Sequence, residues 1–267
     1  MVPSAERMNR PGRGTGGADP SSKEQGNETD QETGGRVMRA EDLGDLQALV
    51  RSRLVPGFAE RDEVESDARD WAEDLGLSPE EAVVEVRRSW EARSAAEREW
   101  TDTGDYGRLR GAFDELSADG VLALMNFSCC TRCATQAVDD ERTPDPDREG
   151  WYKFREWAYV SFHEQDAERL ADDDPVLYLG YSGFRPHPTL PDSLLDAMSA
   201  GDLDAEHCAY ERTETLLAQQ IVDTLQRHGL DVTWSGSRLD RIAVRITSWR
   251  KPLPNKGIDG EQDSSER

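Results

Sequence analysis

The stretch from Val121 to Cys133, which reads VLALMNFSCCTRC, constrains the fold more than any other part of the chain. Val121–Phe127 is an almost continuous apolar run, which is typical of a β-strand covered on both faces. Gly120 precedes this run and matches the left-handed glycine that often ends a helix. Three cysteines then follow within a few residues. The stretch therefore predicts a buried strand whose end carries a group of thiols.

The composition limits what can surround this strand. Charged residues make up 33% of the chain and hydrophobic residues 36%, with a net charge of −23. Few large apolar side chains occur in residues 1–37 and 251–267, so we predict a disordered arm and a disordered tail. No apolar run approaches the roughly 18 residues of a membrane span, and no apolar signal-peptide core or basic patch is present. The sequence predicts a cytoplasmic protein whose partner is a protein or small molecule, not a membrane or a nucleic acid.

Residues 38–104 have the pattern of a helical segment. Apolar side chains recur there at helical spacing in three runs, and Pro56-Gly57 and Gly76 separate these runs. Ser78-Pro79-Glu80-Glu81 is a strong helix start, with Ser78 as the N-cap and proline at the first helical position. We interpret this segment as a packing element in front of the main domain.

Residues 105–250 are predicted to form an α+β domain. The order after Val121 is strand, short helix, strand, strand, long helix, strand, strand, and the proline-rich residues 185–205 are predicted to be a loop. This order matches a ferredoxin-like (βαββαβ), mostly antiparallel sheet with an extra strand. In that fold Val121–Phe127 and Trp157–His163 run parallel with another strand between them, and their carboxyl ends share one edge. The cysteines should then lie near His163.

A metal site is one interpretation of the cysteines. Cys130 and Cys133 have the C-x-x-C spacing with which two thiolates hold one ion, and Cys129 is adjacent as a third ligand. His163 is the nearest candidate for the fourth ligand. These residue types favour zinc.

Two other interpretations of the cysteines stay open. A C-x-x-C pair between a strand and a helix is also typical of thiol redox chemistry, which would use Cys130 and Cys133. Small buried cysteines that only pack beneath a sheet edge are the third interpretation. Cys208 lies apart on the predicted long helix, where packing is expected.

The segment around His163 has its own alternatives. Glu164 and Asp166 could serve as a general acid and base beside the imidazole, or Asp166 could cap a short helix while Glu164 is solvated. The sequence contains no phosphate-binding glycine loop and no nucleophile elbow. Whether the protein is an enzyme is therefore left open.

Four segments carry a family resemblance: NFSCCTRC (126–133), YVSFHEQD (159–166), LYLGY (177–181) and HGLDVTWSGSRLDRIAV (228–244). Together they resemble an uncharacterised, mainly actinobacterial family of domains of unknown function. The resemblance covers roughly residues 100–250 and implies a shared fold. It implies no activity, so the chemistry must be argued from the residues.

Overall fold

The computed structural model describes residues 40–254, except for the side chains of Ala40 and Glu41. The predicted arm over residues 1–37 lies outside this range, as does most of the predicted tail. No helix in the described part of the chain combines the length and apolar character needed to cross a membrane.

Three helices form the amino-terminal part of the described chain: α1 (Ala40–Leu54), α2 (Arg61–Leu75) and α3 (Pro79–Glu97). Gly76 ends α2 in the left-handed conformation, with φ of 64°. Ser78 caps α3 by accepting a hydrogen bond from the Glu81 amide at 3.3 Å. Their apolar faces meet in a helical cluster, with the core residues Leu46, Val50, Leu54, Val64, Ala68, Ala72, Ala82, Val86 and Leu253.

Leu253 shows that the chain returns to the helices after the sheet. Its side chain is 3% exposed, and its amide donates to Glu97 Oε1 at 2.9 Å. Lys251 is also buried. The predicted disordered tail therefore begins with residues that pack against the helical cluster.

The remaining elements form the mixed α+β part. Its helices are α4 (Gly104–Ala118), α5 (Thr131–Ala137), α6 (Glu164–Glu168), α7 (Asp192–Ser199) and α8 (Leu203–Arg227). Its strands are β1 (Val121–Leu124), β2 (Ala158–Ser161), β3 (Val176–Gly183), β4 (Asp231–Thr233) and β5 (Ile242–Arg245). Short 3-10 turns follow α5 and α6, over Val138–Glu141 and Arg169–Ala171. The α+β class is as predicted.

Within the described residues, these strands form one sheet in the order β1-β2-β3-β5-β4. The sheet is mixed, because β1 and β2 are parallel, with Val121 opposite Ala158, whereas the other neighbours are antiparallel. The predicted ferredoxin-like order is not present. That order requires a strand between β1 and β2, but these two strands pair directly, and the Trp157 amide donates to Gly120 O at 2.8 Å where they begin. β3 instead turns back onto the other side of β2.

The main core lies where α4 and α8 pack on the sheet. Fully buried side chains of α8 meet those of the central strands there, among them Leu217, Ile221, Leu225, Leu177, Leu179, Ile242 and Phe162. Phe58, which follows α1, contacts Phe162 edge to face at 5.9 Å between ring centroids. The helical cluster therefore packs beside the ends of β1 and β2.

Candidate functional site

The carboxyl ends of β1 and β2 lie side by side, as predicted from their parallel direction. The Phe127 amide donates to Phe162 O at 2.9 Å, and the Glu164 amide donates to Ser128 O at 3.0 Å. These bonds continue the pairing past the last residues of both strands. The cysteine segment and the histidine segment therefore reach the same rim of the sheet.

A sharp turn separates β1 from the cysteines. Asn126 and Ser128 both have positive φ, at 52° and 66°, and they are the non-glycine residues with positive φ in the described chain. Such residues cost on the order of 1 kcal/mol each and persist where the surrounding structure fixes them. The turn ends the strand at Leu124, earlier than predicted, and directs the next residues out of the sheet.

The turn gathers the three predicted thiols. The Sγ atoms of Cys129, Cys130 and Cys133 all lie within 4.8 Å of one another. Cys129 is exposed, and Cys130 and Cys133 are half-buried. A tetrahedral zinc ion with Zn–S bonds of about 2.3 Å places its sulfur ligands roughly 3.8 Å apart. A contraction of about 1 Å or less would therefore bring the group into ligand geometry.

The thiols differ in how easily they ionise. The Cys133 amide donates a hydrogen bond to the Cys130 sulfur, and this lowers the pKa of Cys130 below its ordinary value. The neighbouring sulfurs of Cys129 and Cys130 raise the pKa of Cys133 to about 11. Three thiolates this close repel one another, and a bound cation removes that repulsion. The three thiols therefore resist full ionisation without a metal ion, whereas a bound metal ion favours it.

His163 lies at the rim with both ring nitrogens engaged. Nδ1 accepts a hydrogen bond from the Asp166 amide at 3.2 Å, which assigns the ring proton to Nε2. Nε2 lies 2.9 Å from Thr131 Oγ1 and 3.0 Å from Asp166 Oδ2. Burial lowers the pKa of His163, so the ring is neutral at pH 7. In this arrangement neither nitrogen offers a free lone pair to a metal.

The Asp166 side chain is the centre of a buried polar network. Asp166 is 3% exposed, and Arg241 donates to both of its oxygens, at 3.0 and 2.5 Å. Arg241 also donates to Tyr178 O. His163, and not Asp166 as predicted, is the N-cap of α6, because Asp166 is the third residue of the helix and its carboxylate accepts the His163 amide at 3.4 Å. These partners fix both side chains and leave Asp166 no freedom as a general base.

Glu164 takes part in an ion pair, although we predicted that it could be solvated. Its carboxylate binds Arg53 of α1, whose Nε also lies 3.1 Å from Asp67 Oδ2. Sequence reasoning missed Arg53, Thr131 and Arg241 as parts of the site. Arg53 and Arg241 come from distant parts of the chain, and Thr131 is an ordinary residue type between two cysteines.

Two of the cavities at the rim each include a predicted ligand in their lining. One of about 360 Å³ lies between α1, α2 and the turn, and Asn126, Ser128 and Cys129 line it. The other, of about 190 Å³, is lined by Thr131 and Ala134 of α5 and by His163. Cys129 and the imidazole therefore face different cavities, and the sulfur group in the described chain does not include His163. His163 as the fourth ligand stays a prediction.

Comparison with known proteins adds one match. A family model described as "Domain of unknown function (DUF6891)" matches residues 39–253, which contain the helical cluster, the sheet and the whole rim. No curated protein and no solved structure matches the chain. The resemblance to a family of unknown function is confirmed, and the matched region extends further toward the amino terminus than the four resembling segments indicated.

Proposed function

We propose that this chain, which belongs to the DUF6891 family of domains of unknown function, is a metal-binding domain. Cys129, Cys130 and Cys133 hold one thiophilic ion, with zinc as the first candidate. The observation that carries this proposal is the grouping of three Sγ atoms within 4.8 Å on a strained turn. Thiolates are the ligands that zinc and other soft ions prefer.

The described fold supports an exchangeable ion better than a structural one. Structural zinc sites are usually closed by four protein ligands, and small zinc domains need the metal to fold. Here the sheet and helices have a large buried core of their own, and Cys129 is exposed. We therefore propose a binding or regulatory role in the cytoplasm, in which a protein or small-molecule partner recognises the ion-bound state.

The fourth ligand has two candidates. His163 can serve only if its ring rotates, because Nδ1 now accepts the Asp166 amide and Nε2 carries the proton. Otherwise water or an exogenous molecule completes the coordination, because no His, Asp or Glu of the described chain joins the sulfur group. X-ray absorption spectroscopy separates three sulfur neighbours with oxygen from three sulfur neighbours with imidazole.

The decisive experiment is elemental analysis of full-length protein purified without chelator. We expect about one equivalent of zinc, with three thiols that react with a thiol reagent only after a strong chelator is added. Cys208→Ser is the matched control, because this cysteine lies on α8 outside the group and should leave the zinc content unchanged. Protein that takes up no zinc on reconstitution would refute the proposal.

Thiol redox chemistry is the second candidate, because the pKa values of Cys130 and Cys133 move in opposite directions. The Cys130 thiolate would attack a substrate disulfide and release one thiolate. Cys133 would then lose its proton to solvent and attack the Cys130 sulfur of the mixed disulfide, which releases the second substrate thiolate and leaves a Cys130–Cys133 disulfide. Metal-free protein that forms this disulfide when it reduces a small disulfide would favour the enzyme. A pKa of about 11 makes Cys133 a slow attacker at neutral pH.

A further inference from the structure

The cavity of about 360 Å³ lies beside the sulfur group and is not needed to hold a metal ion. Cys129 lines this cavity, whereas Cys130 and Cys133 do not. Asn126 and Ser128, the non-glycine residues with positive φ in the described chain, line the same wall. The turn therefore places Cys129, one of the three proposed ligands, in the wall of a half-open cavity. A molecule in that space could reach an ion held by the cysteines.

The wall of the cavity is acidic. Glu63, Glu164 and Glu168 line it, with Arg53 as the cationic side chain among the lining residues. Arg53 is already paired with Glu164 and lies 3.9 Å from Glu168. Glu63 accepts a hydrogen bond from the Glu60 amide at 2.9 Å at the start of α2. The lining therefore carries more negative than positive charge.

The ion adds to this negative charge. A divalent cation with three thiolates has a net charge of about −1. An anionic fourth ligand would bring further negative charge beside the carboxylates, which Coulomb repulsion opposes. A ligand that combines a donor for a soft ion with a positively charged group is therefore favoured over an anionic one. The volume lies at the small end of ligand cavities, so the molecule must be small.

We propose that the fourth coordination position binds a small aminothiol, with its sulfur on the ion and its ammonium group against the wall of Glu63 and Glu168. This rests on the proposed metal site. The thiol loses its proton to solvent, and the thiolate displaces a water molecule from the ion. The ammonium group keeps its proton, and no electron is transferred. The site then recognises aminothiols as a class.

The test uses the full chain loaded with Co(II), whose sulfur-to-cobalt charge-transfer bands report each thiolate that binds. Cysteamine, 2-mercaptoethanol and 3-mercaptopropionate are titrated and compared at equal thiolate concentration, because they differ chiefly in the charge of the distal group. We expect cysteamine to bind tightest and mercaptopropionate weakest, with an overall difference of about tenfold that shrinks at high salt.

The variant Glu63→Gln/Glu168→Gln removes two charges from the wall but leaves the Glu164–Arg53 pair intact. Glutamine at position 63 can still accept the Glu60 amide. We expect the preference for cysteamine to fall by about fivefold. The matched control is Glu91→Gln/Glu99→Gln, which changes the net charge equally at exposed positions on and just after α3 and should keep the preference.

The outcomes separate this inference from the metal site. If Co(II) binds without three cysteine thiolates, or does not bind, both proposals fail. If Co(II) binds with three thiolates but the three small thiols bind equally or not at all, only the aminothiol inference fails. An unchanged preference in Glu63→Gln/Glu168→Gln would also overturn it.

Discussion

The ends of β1 and β2 lie at the same rim but differ in how their polar groups are used. At the end of β2, His163, Asp166 and Arg241 bond one another, the backbone and Thr131. At the end of β1, three sulfurs lie together with two of their pKa values shifted in opposite directions.

From this difference we infer a structural role for the end of β2 and propose metal binding for the end of β1. A buried group whose hydrogen bonds are all satisfied contributes to stability and has no bonding capacity left for a ligand. The thiols are partly exposed, and their spacing suits a common ion. We therefore expect changes at the end of β2 to affect stability, and changes at the end of β1 to affect metal binding.

The largest effect is expected from Cys130→Ser. It removes one thiolate ligand, and the remaining pair should hold zinc more than about a hundredfold less tightly, because even the partners of metal ligands are worth ten- to a hundredfold. Competition with a chromophoric chelator measures the affinity. Cys208→Ser should bind zinc as the unaltered protein does. Equal zinc affinities for Cys130→Ser and Cys208→Ser would show that the end of β1 does not bind the ion.

The next effect is on stability, from Asp166→Asn. This variant takes the charged partner from Arg241, and we expect the free energy of unfolding to fall by about 2–3 kcal/mol, with zinc content unchanged. Urea denaturation measures it.

Asp174→Asn is the control for Asp166→Asn. Asp174 also pairs with an arginine of the sheet, Arg245, at 2.7 Å, but both side chains are more than half exposed. Its loss should cost less than about 1 kcal/mol. Equal costs for the two variants would show that the end of β2 is not the stabilising node.

The sequence predicted the grouping of the cysteines and the rim that they share with His163. Cys129, Cys130 and Cys133 lie within five positions, so their grouping follows from a single turn and needs no distant contact. The shared rim followed from the apolar run of β1 and from the parallel direction of β1 and β2. Both inferences depend on short-range pattern and on the usual hand of crossovers.

The parts that failed depend on long-range choices. Strand order depends on which strand edges pair. β3 pairs with the edge of β2 that faces away from β1, although the order of elements also allowed β3 to lie between β1 and β2. The bonding of His163 depends on Asp166 and Arg241, and Arg241 lies 75 residues beyond Asp166. The short helix α7 was predicted as loop because three prolines precede it closely.

A smaller effect on zinc affinity is expected from His163→Gln, a change at the end of β2. If the ring only anchors α5 through Thr131, zinc affinity should fall by less than about tenfold. Thr131→Val breaks the same 2.9 Å contact from the other side and should have a similar effect. Isothermal titration with zinc measures both. A loss above a hundredfold in His163→Gln alone would instead identify the imidazole as the fourth ligand.

The smallest effect is the pH dependence of stability. Burial lowers the pKa of His163 below its ordinary 6.5, although nearby Asp166 opposes this change. The unfolded chain therefore takes up a proton at a higher pH than the folded chain. The contribution of His163 to stability is complete above pH 6.5 and is lost as the pH falls from 6.5 toward the folded-state pKa. The slope of this loss is at most about 1.4 kcal/mol per pH unit.

Urea denaturation of metal-free protein at pH 7.5 and 5.5 tests this sign. His163→Gln should show a smaller loss between the two pH values. Some loss should remain, because burial also lowers the pKa of His187. If the free energy of unfolding falls equally with and without His163, burial does not disfavour the charged ring. The end of β2 would then not differ from the thiols in this respect.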